Sequence, residues 1–178
     1  IDIRSGRVVN RIPLDTFGVA SASAAVGFIP GGYPGAGGMR IVSWSGGQFY
    51  EAAYTLNGRG EIAIQGVTPL PGSQLPGGPE GWAYVPLGSP LFSAPSMIVS
   101  EYSANSVAVY EMDGNGNPVI ASRRLFLSDL TGAEGAAIDP VSGSFLFSTF
   151  GGSNRVIVVH GFAAPPSLSL SAASLDFG

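Results

Sequence analysis

Cysteine is absent from this chain, and so is lysine. All eight basic residues are arginine, they face 12 acidic ones, and there is a single histidine. Without cysteine, neither a disulfide framework nor a thiolate metal site is possible, and the redox compartment is left open. With one histidine a His-based metal centre is excluded, and a Ser-His-Asp triad would have to be built on His160. The formal net charge is −4, with no basic stripe to neutralise phosphates, so nucleic acid is not an expected partner. Charged residues make up 11% of the chain, against about a quarter in ordinary globular domains. A surface built instead from Ser, Asn, Gly and backbone is common in exported proteins, and the chain is expected to be secreted, periplasmic or at a cell surface. No apolar run approaches the length that spans a bilayer, so no transmembrane segment is expected.

What is present is strand-forming sequence broken by turn residues. With 27 Gly and 14 Pro in 178 residues, weight shifts from helices to turns, while 45% hydrophobic residues suffice for a core. Residues 132–162, GAEGAAIDPVSGSFLFSTFGGSNRVIVVHGF, hold three short strand signals separated by two turns. The unit recurs upstream. PEGWAYVP matches AEGAAIDP, and MIVSEYSANSVAVY matches FLFSTFGGSNRVIVV with one gap; a weaker copy runs AVGFIP and then MRIVSWSGGQFYEAAY. Pro30, Pro86 and Pro140 mark the period, at spacings of 56 and 54 residues. That is somewhat above the propeller period of about 40 to 50, with the excess in Gly/Pro-rich insertions.

Each unit is expected to be a four-stranded blade. The first comprises strands over residues 24–29, 39–45, 48–56 and 61–68, with a linker over 69–78. The second comprises 81–85, 97–102, 107–112 and 119–127, and the third 135–138, 145–150 and 155–160 with no fourth strand before Pro165 and Pro166. Residues 1–14 read as the end of a strand, a Ser-Gly-Arg turn and a second strand, aligned with LNGRGEIAI and MDGNGNPVIA as the last hairpin of a blade. A surplus outer strand over 8–14 and a missing one in the third unit suggest ring closure by a shared blade. The fold class expected is therefore all-β, a partial β-propeller of about three four-stranded blades, incomplete as a single chain. Three blades do not close a ring, which takes about four to eight, so other copies or missing blades of the same polypeptide are expected partners. Residues 1–162 form the blades. Residues 163–178 form a linker and one strand, since SLSLSAASLDFG alternates with period two; it opens a following domain or is donated elsewhere. Both chain ends fall beside strand signals and read as cut, with any export signal removed.

The string AEGAAIDPVSGSFLFSTFGGSNRVIVV resembles the NHL-type and related six- or seven-bladed propeller repeats of bacterial exported proteins. Their units read roughly P-x-G-h-A-h-D-x-x-G-x-h-h-h-S, a Gly/Asn turn and R-h-h-h, where h is hydrophobic. The resemblance covers residues 18–162 and is strongest in the last unit; Val85 stands where the third unit has Asp139, and the first unit lacks the Glu-Gly pair. The tail PSLSLSAASLDFG is similar to the opening strand of Ig-like modules of the ASH or choice-of-anchor type. The resemblance implies an extracellular binding or structural propeller that engages protein or glycan.

Two constellations carry possible chemistry. Glu80 and Glu134 occupy the same place in successive units, just before the first strand, which in propellers lines the central channel. With Asn105 and Asn154 from later turns they are candidate ligand-binding residues. Their oxygens suit a hard divalent cation, as in calcium-dependent gluconolactonase-type propellers. The bland alternative is that each Glu caps a turn or pairs with an Arg. Asp113, Asn115 and Asn117 in DGNGNP have the spacing of the first three ligands of a calcium loop, but Ser122, Arg123 and Arg124 stand where its bidentate Glu would be sought, which favours an ordinary hairpin turn. Trp44, Trp82, Tyr84, Tyr102 and Phe150 are expected in blade packing, with carbohydrate stacking as the sharper alternative. Arg123 and Arg124, adjacent in a strand, would face opposite sides. No set of acid, base and nucleophile assembles, so a non-catalytic module without a cofactor is expected. A calcium-dependent lactonase-like hydrolase and a subunit of an extracellular filament or sheath are the alternatives.

Overall fold

Runs of four to six β-branched and aromatic residues, each ended by Gly, Pro, Asn or Ser, are too short for stable helices and pair instead as hairpins. The computed structural model describes residues 4–139 and 141–162, and among these the regular structure is strand, with three short 3₁₀ turns. The first sheet contains β1 (Ser23–Phe28), β2 (Met39–Ser43), β3 (Gln48–Leu56) and β4 (Ile62–Gln74). The second contains β5 (Pro79–Tyr84), β6 (Ser96–Glu101), β7 (Ser106–Glu111) and β8 (Arg124–Leu127). The third contains β9 (Ala133–Ile138), β10 (Phe145–Thr149) and β11 (Val156–Val159). Every sheet is an antiparallel meander whose strands lie in sequence order. Among the described residues no helix is long and apolar enough to cross a membrane.

The three sheets share one register. Phe28 pairs with Met39, Tyr84 with Met97 and Ile138 with Phe145, and the first pair of strands in each sheet carries an irregularity near its far end. The outward and inward positions of the three sheets therefore correspond one to one.

The second sheet lies between the other two. Trp82, Tyr84, Met97, Val99 and Tyr110 from one of its faces join Val42, Phe49 and Leu75 in one core. From its other face Ala83, Ile98, Val107 and Val109 join Phe145 and Phe147 in a second. Burial on both sides explains why β6 is buried at every position, whereas β11, a similar run of aliphatic residues in a flanking sheet, alternates between exposed and half-buried. The first strands of the sheets lie side by side, β1 against β5 and β5 against β9. Glycine permits the second approach: a Cβ on Gly81 would stand 2.6 Å from the Glu134 carbonyl oxygen and 3.0 Å from the Ala136 nitrogen.

Three expectations about strands are corrected. Residues 8–13 form no strand and run into a 3₁₀ turn, Leu14–Phe17. Asn10 Nδ2 donates to the Ile62 carbonyl, and Leu14 and Val19 pack on Met39, Ile41 and Tyr50. This segment thus covers the outer face of the first sheet and supplies no fourth strand to the third. The expected linker over 69–78 is largely strand, because β4 continues through Pro69 and Pro71 to pair Gln74 with Gln48. As the edge strand, β4 can hold prolines with no ladder bond lost on its open side. The expected strand over 119–127 is interrupted by a 3₁₀ turn, Ile120–Ser122. There Ser122 Oγ donates to the Val119 carbonyl and accepts the Glu111 N–H, replacing ladder bonds. The expected strand in 167–178 and its Ig-like resemblance lie outside the described residues.

Candidate functional site

Glu80 and Glu134 lie one residue into β5 and β9, the two first strands that Gly81 lets close together. Both are half-buried. Burial raises the Glu80 carboxyl above the ordinary carboxylate range, and the Glu134 charge raises it further. The close approach of Gly81 to Glu134 therefore places two like-charged carboxyls within range of each other's field. Neither carboxylate accepts a hydrogen bond from a described residue, and no group of three or more metal-ligating carboxylates or histidines forms among the described residues.

The two asparagines expected beside them are engaged in their own turns. Asn105, with left-handed φ of 53°, accepts the Gly132 N–H on Oδ1 at 2.8 Å and the Leu130 N–H on its carbonyl. It fastens the β6–β7 turn to the segment leading into β9. Asn154, with φ of 46°, accepts the Gly151 N–H at 2.9 Å in the β10–β11 turn. Asparagine tolerates this conformation better than most residues, which accounts for both without a ligand.

The DGNGN loop holds a cation of a different kind. Asp113 Oδ1 accepts the N–H groups of Asn115 and Asn117, each at 2.8 Å. Asn117 Oδ1 accepts from Arg40 Nε at 2.9 Å, and the Asn115 carbonyl accepts from Arg40 Nη2 at 3.1 Å. Arg40 is buried and also reaches Glu51 at 3.3 Å. Of the three candidate calcium-loop residues, Asn117 Oδ1 and the Asn115 carbonyl therefore bind the guanidinium of β2, tying the first sheet to the second, while Asp113 caps the turn.

His160 Nδ1 lies 2.7 Å from Ser144 Oγ, which is in turn 2.9 Å from Ser142 Oγ; Ser142 Oγ donates to Asp139. The Asp139 carboxylate therefore meets a serine and not the imidazole, and among the described residues no acid orients the histidine as a base. The hydroxyl and the backbone N–H groups of Val141 and Ser142 hold the Asp139 carboxyl below its ordinary range, as in a turn-capping aspartate. Of the aromatic residues, Trp82 and Tyr84 are core, Tyr102 is half-buried, and Trp44 and Phe150 are exposed.

A fourth cluster was not anticipated. Glu101, at the end of β6, has no exposure. Its carboxylate accepts from Tyr110 Oη at 2.6 Å, Ser106 Oγ at 2.9 Å, Arg123 Nε at 2.9 Å and Arg123 Nη2 at 2.5 Å. Burial and the neighbouring carboxylate push the Tyr110 hydroxyl far up, and the bond to Glu101 raises Arg123 further. Arg123 is the cap of a 3₁₀ turn rather than a strand residue, and its Nη1 bonds no described residue. Arg123 lines a cleft of about 560 Å³ with Asn105, Leu125, Ser128, Asp129 and Thr131. The one sequence signal was a glutamate ending an apolar strand, MIVSE, where the third unit has Thr149.

Compared with protein-family models, curated proteins and solved structures, the chain finds no match in any of the three.

Proposed function

We propose that this chain is a non-catalytic β-propeller-type module of an exported protein, binding a glycan or protein segment. The propeller reading is supported by three meander sheets of one register, stacked in chain order with their first strands side by side. Export is supported by the low proportion of charged residues.

The observation that carries binding is the Arg123 cleft. A guanidinium held along one edge by two bonds to a fully buried carboxylate is fixed in place, and the residue lines an open cleft. Glu101 neutralises its charge, and Asp129 adds a carboxylate at the rim. The site therefore favours a neutral, hydroxyl-rich ligand over an anion, with exposed Leu125 offering an apolar contact. Titration of the ¹⁵N-labelled chain with neutral methyl glycosides and with glucuronate tests this. The expected result is shifts at Asn105, Ser106 and Thr131 with at least one neutral glycoside. Their absence across the panel to high millimolar concentration, or a preference for glucuronate, would overturn it.

A second reading, a calcium-dependent hydrolase of lactonase type, is favoured by the proximity of Glu80 and Glu134. It requires calcium to raise the melting temperature and Glu134→Ala to abolish that rise; no rise with calcium rejects it.

A further inference from the structure

The outer face of the third sheet repeats, position for position and with one Ile-to-Leu change, the face by which the second sheet docks on the third. In the second sheet that face is made by Gly81 and Ala83 of β5, Ile98 and Ser100 of β6, and Val107 and Val109 of β7. At the same register the third sheet places Gly135 and Ala137 on β9, Leu146 and Ser148 on β10, and Val156 and Val158 on β11. In the second sheet the two valines are 0% and 3% exposed; in the third they are 66% and 49% exposed. Gly81 is required because the next first strand lies against it, whereas Gly135 is exposed and meets only its own neighbour Ser148.

The complementary half is at the other end of the chain. The faces that receive this surface carry Trp82 and Tyr84 in the second sheet and Ala136 and Ile138 in the third. Their register equivalents in the first sheet are Val26 and Phe28 of β1, which are 58% and 45% exposed. Leu14 and Val19 already cover Met39, Ile41 and Tyr50 farther out on this sheet, so the open part is centred on β1. One chain thus exposes both halves of an interface that it also forms internally.

We infer that the outer face of the third sheet docks a second copy of this chain through Val26 and Phe28 of that copy's first sheet. This inference rests on the stacked-blade reading and names its partner. The contact is head-to-tail, and such contacts close into rings when the rotation permits. Two copies would present six sheets, within the range of closed propellers.

Light scattering on the full chain tests this, together with Val158→Asp on one face, Val26→Asp on the other, and Val109→Asp at the internal equivalent of Val158. The wild type is expected at twice the 18.1 kDa of one chain. Each surface variant should be a monomer with cooperative unfolding, and an equal mixture of the two should regain dimer through the one intact pair of faces. A wild type that stays monomeric at high micromolar concentration overturns the docking, whether the face is open or covered by residues 163–178. A dimer that survives Val158→Asp also overturns it. Failure of the stacked-blade reading is distinguishable, because only then would Val109→Asp leave the fold intact.

Discussion

Gly81 of β5 lies so close to Glu134 of β9 that a single methyl group would meet the Glu134 carbonyl oxygen at 2.6 Å. The obstacle is backbone, which cannot swing aside as a side chain does. Gly81→Ala is therefore expected to force the first strands of two sheets apart and to cost about 1–3 kcal/mol, the usual range for overpacking. Gly135→Ala would meet the Ser148 hydroxyl at 2.8 Å, which can rotate away with the loss of its exposed bond from the Gly135 N–H. It should cost less than about 1 kcal/mol in the monomeric Val158→Asp background. Denaturant titration of both variants checks the contrast, and equal costs would contradict it.

Glu101 and Arg123 form an ion pair whose carboxylate is wholly buried. Removing Arg123 strands the buried carboxylate, so Arg123→Met should destabilise by about 3–5 kcal/mol, whereas Glu101→Gln leaves a guanidinium that is one-third exposed and should cost less. Changing both leaves no orphan charge, and the double variant should be clearly more stable than the sum of the singles implies. A double-mutant cycle by urea unfolding measures this, and additive costs would mean that the pair does not act as a unit.

Arg40 spans from β2 to the loop that carries Asn117. The pair should show a coupling of about 0.5–3 kcal/mol in a cycle of Arg40→Met and Asn117→Ala, as expected for residues in one network. Calcium should leave the stability of the Asn117→Ala variant unchanged, since the loop's oxygens serve the guanidinium and its own turn.

The Glu80 carboxyl titrates above its ordinary value because burial and the Glu134 charge disfavour its anion. In the window between the unfolded and the raised value the folded chain holds the extra proton. Stability therefore falls as pH rises through that window, and the loss persists above it. Glu80→Gln should accordingly stabilise the chain near neutral pH and have no effect well below the carboxylate range, where Glu80 is protonated in both states. Solvent screening of a half-buried group keeps the gain below about 1 kcal/mol. Melting curves across pH check the sign, and a gain confined to acid would contradict it.

The strands were legible because their signals are local. Alternating or continuous aliphatic runs bounded by Gly, Pro and Asn place β2, β3, β6, β7, β10 and β11 within a residue or two of their bounds. Pro69 and Pro71 hid the length of β4, since a proline that terminates a central strand is harmless at an edge. Residues 8–13 have strand composition, yet Asn10 reaches the edge strand β4 through its side chain, and it is Leu14 and Val19 beyond them that pack on the first sheet. At the candidate sites, the approach of Glu80 to Glu134 followed from their equal place in two units. The fate of the DGNGN loop did not, because Arg40 lies more than seventy residues away and nothing local marks it as the partner. The Glu101 cluster was invisible for the same reason: Tyr110 is a strand neighbour, but Arg123 reaches back from another turn.

The stacking of one repeated sheet on the next is tested most directly by methyl-to-ring nuclear Overhauser effects in the folded chain. Cross-peaks are expected from the methyl groups of Ile98 and Val109 to the rings of Phe145 and Phe147, which share one core. If those methyl groups instead contact the side chains of Phe49 and Leu75, which lie in the other core, the order of the sheets is wrong and the repeat-based account fails with it.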